Sequence, residues 1–246
     1  MSDETSTAGI LIIGNEILSG KFKDENAPYL LVELRKQGVD VERVLTIPDE
    51  IDLIAQDVRS LAEGYTYVLT TGGVGPTHDD VTMDGVAAAF GETVERNEEM
   101  EQLLRSVMQG REPNASLLKM CDLPPSAELI HSKDLWLPLV RVRNVYIFPG
   151  VPRLLQSKFE HSRDLFVGRP ISLRKMFLTC SESDVAQDLH DLLEAFPTLM
   201  IGSYPRFDEK DFRTLLTFES RDSAYLDRAV ECLVEKIPAE SIARVE

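Results

Sequence analysis

Tyr65-Thr-Tyr-Val-Leu-Thr-Thr-Gly-Gly-Val-Gly-Pro-Thr-His-Asp-Asp-Val-Thr82 is the stretch on which the reading of this 246-residue chain turns. Residues 65–71 are rich in β-branched and aromatic side chains, the composition of a strand. Gly72 to Asp79 is a glycine-rich loop. Val81 to Phe90 is a helix of small apolar residues, closed by Gly91, the residue type that ends helices in the left-handed conformation. Strand, loop and helix in that order form the repeating unit of a parallel sheet.

Two similar units precede it. Ala8 to Ile13 is a nearly unbroken apolar run, as in a strand covered on both faces, and ends at Gly14. A loop leads to a helix over Asn26–Gln37, with Ala27, Leu30, Leu31 and Leu34 at helical spacing and Gly38 beyond its end. Val39 to Ile47 is the second strand, stopped by Pro48. Ile51, Ile54, Val58 and Leu61 then mark a helical stripe closed by Gly64. Three strands alternating with helices predict a mostly parallel sheet whose ligand crevice lies beyond the carboxyl ends of the strands, where both glycine-containing loops fall.

Downstream, the pattern predicts a helix over about residues 97–109, a loop with Pro113, and short strands at 128–130, 139–142 and 145–148 that include a hairpin. Pro149-Gly-Val-Pro152 ends this region and a helix begins near Arg153. After Gly168-Arg-Pro170 the order becomes strand 172–180, helix 183–196, strands 199–204 and 212–219, and helix 223–236. The sequence therefore divides into residues 1–169 and a smaller α+β unit over 170–246.

Composition narrows the function classes. With 26 basic against 42 acidic side chains the net charge is −16, which argues against nucleic-acid binding through a basic face. At 43% hydrophobic and 28% charged residues the chain is a globular enzyme type, long enough to bury about three quarters of its unfolded surface without staples. The opening residues 1–7 have no basic and apolar leader pattern, and no stretch nears the roughly 18 apolar residues of a membrane span, so a cytoplasmic protein without membrane attachment is expected. Three cysteines, Cys121, Cys180 and Cys232, lack metal-site spacing and read as buried thiols. Trp136 reads as a packing residue rather than a stacking platform.

The glycine loop carries the chemistry. Gly72, Gly73 and Gly75 permit positive φ and close backbone approach, so successive N–H groups can converge on a phosphate while the next helix adds its positive end. No Gly-Lys-Ser/Thr follows, and His78 stands where a dinucleotide fingerprint would place its third glycine, so kinase-like and dehydrogenase readings are weak. The simpler alternative is a tight turn in which Thr77 and Asp80 form a capping box on the helix near Val81. Asp79, Asp80, Asp84 and Glu16 would meet at one sheet edge, and acids beside a phosphate repel it unless a hard divalent cation bridges them. In the first loop, Asp24 and Asn26 either contact ligand or cap a helix, and Glu16 either holds metal or accepts backbone N–H bonds. His78 would either act as a ligand or orient a phosphate, or do neither, as is commoner for an exposed loop histidine.

Thr71-Gly-Gly-Val-Gly-Pro-Thr-His-Asp-Asp-Val-Thr82, taken with Gly14-Asn-Glu-Ile-Leu-Ser-Gly20, Asp24-Glu-Asn26 and Pro149-Gly-Val-Pro152, resembles the MoaB/Mog molybdopterin-binding superfamily. Within it the chain is most similar to the CinA amino-terminal domain and to the molybdopterin-binding-like domain of eukaryotic FAD synthase. Leu137-Pro-Leu-Val-Arg-Val-Arg-Asn-Val-Tyr-Ile-Phe-Pro-Gly150 and Ile201-Gly-Ser-Tyr-Pro205 point to the latter branch. The resemblance covers nearly the whole chain.

It implies a three-layer α/β MogA-like domain and a homo-oligomer, dimeric or trimeric. It also implies divalent-metal-dependent cleavage, with Mg, Mn or Co, of the pyrophosphate in FAD or ADP-ribose-like molecules, FAD giving FMN and AMP. Gly72, Gly73, Gly75 and Thr77 would then hold phosphate, and Asp79 and Asp80 would be catalytic. Glu16, Asp79 and Asp80 would hold metal, and Asn15, Asp24, Asn26, Pro149 and Gly150 would make other ligand contacts. Pterin adenylylation in molybdenum cofactor biosynthesis is the competing enzyme reading, set back because Asp79 stands where such adenylyltransferases usually carry a basic residue. A non-catalytic pterin- or nucleotide-binding module is the third. With neither the amidase domain of CinA nor a nucleotidyltransferase domain before Glu246, deamidation and FAD synthesis are not expected.

Overall fold

The computed structural model describes residues 5–108, 110–132, 135, 137–206, 208–209 and 211–246. Trp136 lies outside the described residues, as do the first four residues of the chain. The fold divides into two compact units, residues 1–169 and 170–246.

In the first unit the chain runs β1 (Thr7–Ile13), α1 (Asn15–Leu18), α2 (Asn26–Lys36), β2 (Asp40–Ile47), α3 (Ile51–Gly64), β3 (Tyr67–Thr71) and α4 (Thr82–Ala89). It continues through β4 (Glu95–Arg96), α5 (Glu98–Val107), α6 (Ala115–Lys119), β5 (Asp122–Leu123), β6 (Glu128–Ile130), β7 (Leu139–Val142), β8 (Val145–Phe148) and α7 (Pro152–Ser162). Six strands form one sheet in the order β2-β1-β3-β8-β7-β6, and β4 pairs with β5 in a separate ribbon. The pairs β1–β2, β1–β3 and β3–β8 are parallel; β8–β7 and β7–β6 are antiparallel. The sheet is thus mostly parallel with an antiparallel margin, as the hairpin at 139–148 requires.

Helices cover both faces, and the alternation of β1 shows why. Ala8, Ile10 and Ile12 join a core with Leu30 and Leu34 of α2 and Leu155 and Phe159 of α7. Leu11 and Ile13 face the other way, into a core with Ile54 and Val58 of α3, Val86 of α4 and Leu104 of α5. A strand covered on both faces has no need of polar alternation, which is what the apolar run at its head expresses. Three layers result.

Strand β1 has β2 on one side and β3 on the other, so the direction of winding reverses between β1 and β3. In open α/β sheets such a reversal is the general place for a ligand crevice, between the loops that follow the carboxyl ends of the two strands. Behind it, the end of the unit is pinned. Gly168 donates its N–H to Gln37 O (3.0 Å), and the backbones at Gly38 and Gly168 cross so closely that a Cβ on Gly168 would come 2.0 Å from Gly38 O.

The second unit comprises β9 (Ser172–Leu178), α8 (Glu182–Ala195), β10 (Met200–Pro205), β11 (Thr214–Ser220), α9 (Ser223–Lys236) and β12 (Ile242–Val245). Its antiparallel sheet has the order β10-β11-β9-β12. In β11 buried and half-buried residues alternate, the signature of a sheet with one covered face. That face packs with Val185, Leu192, Leu226 and Leu233 of its two helices.

Four elements were not expected from the sequence: α1, α6, the β4–β5 ribbon and β12. Among the described residues no helix is long and apolar enough to cross a membrane. Cys121 is fully buried, and desolvation pushes its thiol up to about 11; Cys180 and Cys232 are only half-buried, a partial correction to the reading of three buried thiols.

Candidate functional site at the carboxyl rim

The rim is assembled from four loops. The glycine loop after β3 is fixed at its base by backbone strain that only glycine relieves. Gly72 has φ +103° and Gly73 φ +61°. A Cβ on Gly72 would lie 2.0 Å from Ile13 O of β1, so the two strand ends approach to a distance that no side chain permits. Gly72 N–H donates to Phe148 O (3.3 Å), and Gly72 O accepts the Thr82 hydroxyl (2.8 Å). Gly73 O accepts Thr82 N–H (3.0 Å). Among the described residues the amides of Gly73, Val74 and Gly75 donate to no protein acceptor. Gly72, expected to hold phosphate through its N–H, is therefore spent on the sheet, and the open donors begin at Gly73.

The acidic end of the loop folds on itself. Asp80 Oδ2 accepts Thr77 N–H (2.7 Å) and the Thr77 hydroxyl (2.5 Å), and the same hydroxyl reaches Asp79 Oδ1 (2.5 Å). Asp80 N–H returns to Thr77 O (3.3 Å). These bonds close a turn over 77–80 that precedes α4; Val81 is the residue before that helix and no side chain caps it. The capping-box alternative is met only in part: Asp80 accepts Thr77 N–H, but the first N–H of α4 goes to the glycine-loop carbonyl at Gly73 and not to either side chain. The Thr77 hydroxyl, followed by Asp79's own backbone N–H, holds the Asp79 carboxyl below the usual range, so it is ionised at neutral pH. His78 is 98% exposed with Nδ1 3.9 Å from Asp79 Oδ1, in keeping with its reading as an exposed loop residue.

The first loop is anchored at both ends. Asn15 N–H donates to Asp49 Oδ2 (2.8 Å), and a Cβ on Gly73 would lie 3.6 Å from Asp49 Oδ1. Asp49, which the sequence reading passed over beside Pro48, thus stands between the first loop and the glycine loop. At the other end Asp24 accepts the N–H groups of Asn26 (2.9 Å) and Ala27 (3.2 Å), which is the helix-capping alternative. Asn26 does something else. It is 6% exposed, and its Nδ2 donates to the Thr71 hydroxyl (2.8 Å) and to Gly150 O (2.8 Å). Thr71 in turn donates to Pro149 O (3.1 Å). Pro149 and Gly150 therefore serve as acceptors that bind the β8 loop to β3. Because only the nitrogen of a side-chain amide can donate to the Gly150 carbonyl, the amide orientation is fixed, leaving the buried Oδ1 without a hydrogen-bond partner.

Glu16 departs most from expectation. It lies in α1, its backbone O accepts Lys21 and Phe22 N–H (3.0 and 3.2 Å), and its carboxylate is folded back over Gly14, where a Cβ would meet Oε1 at 2.7 Å. Among the described residues no group of three or more histidine, cysteine or carboxylate side chains is arranged to hold a metal ion. Of the three residues expected to hold metal, Asp79 and Asp80 converge on the Thr77 hydroxyl, while the Glu16 carboxylate lies over Gly14 on its own loop. Asp84 belongs to the first turn of α4.

A cation at this site also escaped the sequence reading. Lys119, the last residue of α6, donates through Nζ to Asp80 O (2.7 Å) and Thr77 O (3.1 Å). Its carrier helix has one cue in the sequence, Asn114, whose side chain accepts Leu117 N–H (2.9 Å).

Comparison with known proteins gives the following likenesses. Residues 9–166 match the family model described as a probable molybdopterin binding domain, and residues 170–246 match that of the FAD synthase middle domain. A Caenorhabditis elegans protein named "Probable FAD synthase" is 33% identical over 94% of this chain and 50% of its own length. An Archaeoglobus fulgidus protein is 31% identical over 90% of this chain and 94% of its own. The crystal structure titled as the protein CinA with unknown function from Thermoplasma acidophilum superposes with a TM-score of 0.61 at 27% identity, covering 66% of this chain and 99% of that one. The chain spans about half the length of the curated FAD synthase relatives it matches.

Proposed function

The chain belongs to the family of probable molybdopterin binding domains, and from that premise we propose that its carboxyl-rim crevice binds a pterin- or nucleotide-type phosphate ester. One observation carries this reading: the amides of Gly73, Val74 and Gly75 are consecutive and unspent beside the switch between β1 and β3. Converging N–H groups on a glycine turn form an anion cradle. The likeness to proteins named FAD synthase directs the choice of ligand toward FAD and related adenine dinucleotides.

A second reading, hydrolysis of the bound pyrophosphate, is favoured by the pairing of Asp79 and Asp80 on one hydroxyl. Two converging carboxylates do not make a metal cage, but they fit a cation of the Mg²⁺ kind, which takes one or two carboxylates together with substrate phosphate oxygens. When bound, such an ion neutralises developing charge on the pyrophosphate. The chain's own part is to seat the phosphate on the loop amides, to keep Asp79 ionised, and to hold Asp80 in place through Thr77.

The test is direct. Calorimetric titration with FAD, ADP-ribose and inorganic pyrophosphate measures binding, and release of AMP in the presence of Mg²⁺, Mn²⁺ or Co²⁺ measures cleavage. Binding with no AMP under any metal supports a binding module and rejects hydrolysis. Absence of binding by all three ligands, and by a pterin phosphate, rejects the site.

A further inference from the structure

Lys119 carries an inference that rests on the binding reading above and deepens it. Its ammonium takes two backbone carbonyls, Thr77 O and Asp80 O, some forty residues away in sequence, and both belong to the peptide stretch that bears Asp79 and Asp80. In a chain of net charge −16 it forms no ion pair with a carboxylate among the described residues, although the charge of Lys119 is felt at Asp79 as one of the forces lowering that carboxyl. A lysine has three donors, and two of them are spent here on neutral oxygens. An arrangement that serves only to bury charge would pair it with one of the two adjacent carboxylates.

Peptide geometry gives this contact a consequence. The described peptides are all trans, and in a trans peptide the C=O and the following N–H point in opposite directions. Drawing Thr77 O and Asp80 O toward Lys119 turns the N–H of His78 and the N–H of Val81 away from it. Neither amide donates to a protein acceptor among the described residues. With Gly73, Val74 and Gly75 they make five unspent donors within nine residues of loop, flanking the turn that Thr77 closes with Asp80.

We propose that Lys119 is a positioning residue of the anion cradle: by holding the carbonyls of Thr77 and Asp80 it directs the His78 and Val81 amides toward a bound phosphate or pyrophosphate. Its charge also offsets that of the two aspartates beside the incoming anion. The ligand chemistry selected is a multiply charged phosphate group, with no demand on the base or ring attached to it.

The experiment uses the full chain and inorganic pyrophosphate as the probe. In ¹⁵N-resolved spectra of the unaltered protein, titration moves the amides of His78 and Val81 together with those of Gly73 to Gly75. In Lys119→Met the pyrophosphate affinity falls at least tenfold and becomes less sensitive to ionic strength, whereas Lys119→Arg restores most of it. A purely structural lysine would instead lower the melting temperature and leave affinity and its salt dependence unmoved in the folded fraction. If Lys119→Met fails to fold, the spectra of the unaltered chain still decide: shifts at Gly73 to Gly75 without shifts at His78 and Val81 overturn the inference. Should the unaltered chain bind no phosphate compound at all, it is the binding reading that falls.

Discussion

The amide nitrogen of Asn26 lies 2.8 Å from the hydroxyl oxygen of Thr71, 45 residues later in the chain, and both side chains are more than nine-tenths buried. Through Gly150 O and Pro149 O the same pair reaches the loop after β8. Three loops of the rim thus share one knot of hydrogen bonds. Breaking it leaves polar groups stranded in the protein, which costs more than the bonds themselves contribute.

Asn26→Leu is accordingly expected to destabilise the fold by about 2 kcal/mol. For a domain of this size that lowers the melting temperature by roughly 4–8 °C. Thermal unfolding followed by circular dichroism measures it. An unchanged melting temperature would mean that the knot is incidental to stability.

Gly72 and Gly75 should separate stability from binding. Gly72→Ala places a methyl group against Ile13 O at positive φ, and a loss on the order of 3 kcal/mol is expected. At Gly75 the added methyl would meet the Asp80 carboxylate at 2.8 Å, a group on a rotatable side chain. Gly75→Ala should therefore melt within a few degrees of the parent protein and bind pyrophosphate more weakly. Equal melting temperatures for the two variants would contradict the close approach of β1 and β3.

Asp79 and Asp80 are chemically alike and differently employed. Asp80→Ala removes the acceptor of Thr77 N–H and hydroxyl, costs on the order of 1 kcal/mol, and should abolish any AMP release from FAD or ADP-ribose. Asp79→Asn keeps the shape but not the charge. It should leave the melting temperature near that of the parent and reduce turnover at every metal concentration. If Asp80→Ala retains full cleavage, the paired-carboxylate reading is lost.

Lys158 gives a pH signature. Its Nζ, on α7, donates to Leu137 O (2.6 Å) and Pro138 O (2.7 Å), and burial lowers its pKa to about 8. In the unfolded chain the value is about 10.4. Below pH 8 both states are charged and the folded one bears the full desolvation cost. Between about 8 and 10.4 the unfolded state holds more protons, so this group makes stability rise with pH, by at most about 3 kcal/mol. Denaturant titrations across that interval should show the rise, and Lys158→Met should abolish it.

Much of this architecture is legible in the sequence. β7 and β8 fall where the apolar runs of 139–148 put them, and α9 spans the residues its periodicity marks. The reading stopped where pattern gives out. A four-residue helix such as α1 and a five-residue one such as α6 are too short to show a period, and two-residue strands such as β4 and β5 show none. At the rim the sequence shows which residue types gather, since glycine and aspartate are concentrated in one loop. It does not show which hydrogen bonds they choose. Whether Asp24 or Asn26 caps α2, and whether Glu16 turns toward Asp79 or away, depends on partners dozens of residues distant. Asp49 and Lys119 were missed for that reason: each lies outside every recognisable motif and reaches the site only through the fold.

The crossing of Gly38 with Gly168 bears on biosynthesis. A nascent polypeptide presents the turn at 37–38 early, yet the segment that lies across it leaves the ribosome some 130 residues later. Until then Gln37 O has no amide to accept, and the back of the first unit stays open during translation. The clasp closes only when the final residues of the first unit have been made, so a polypeptide cut short of Gly168 would leave that unit unfinished.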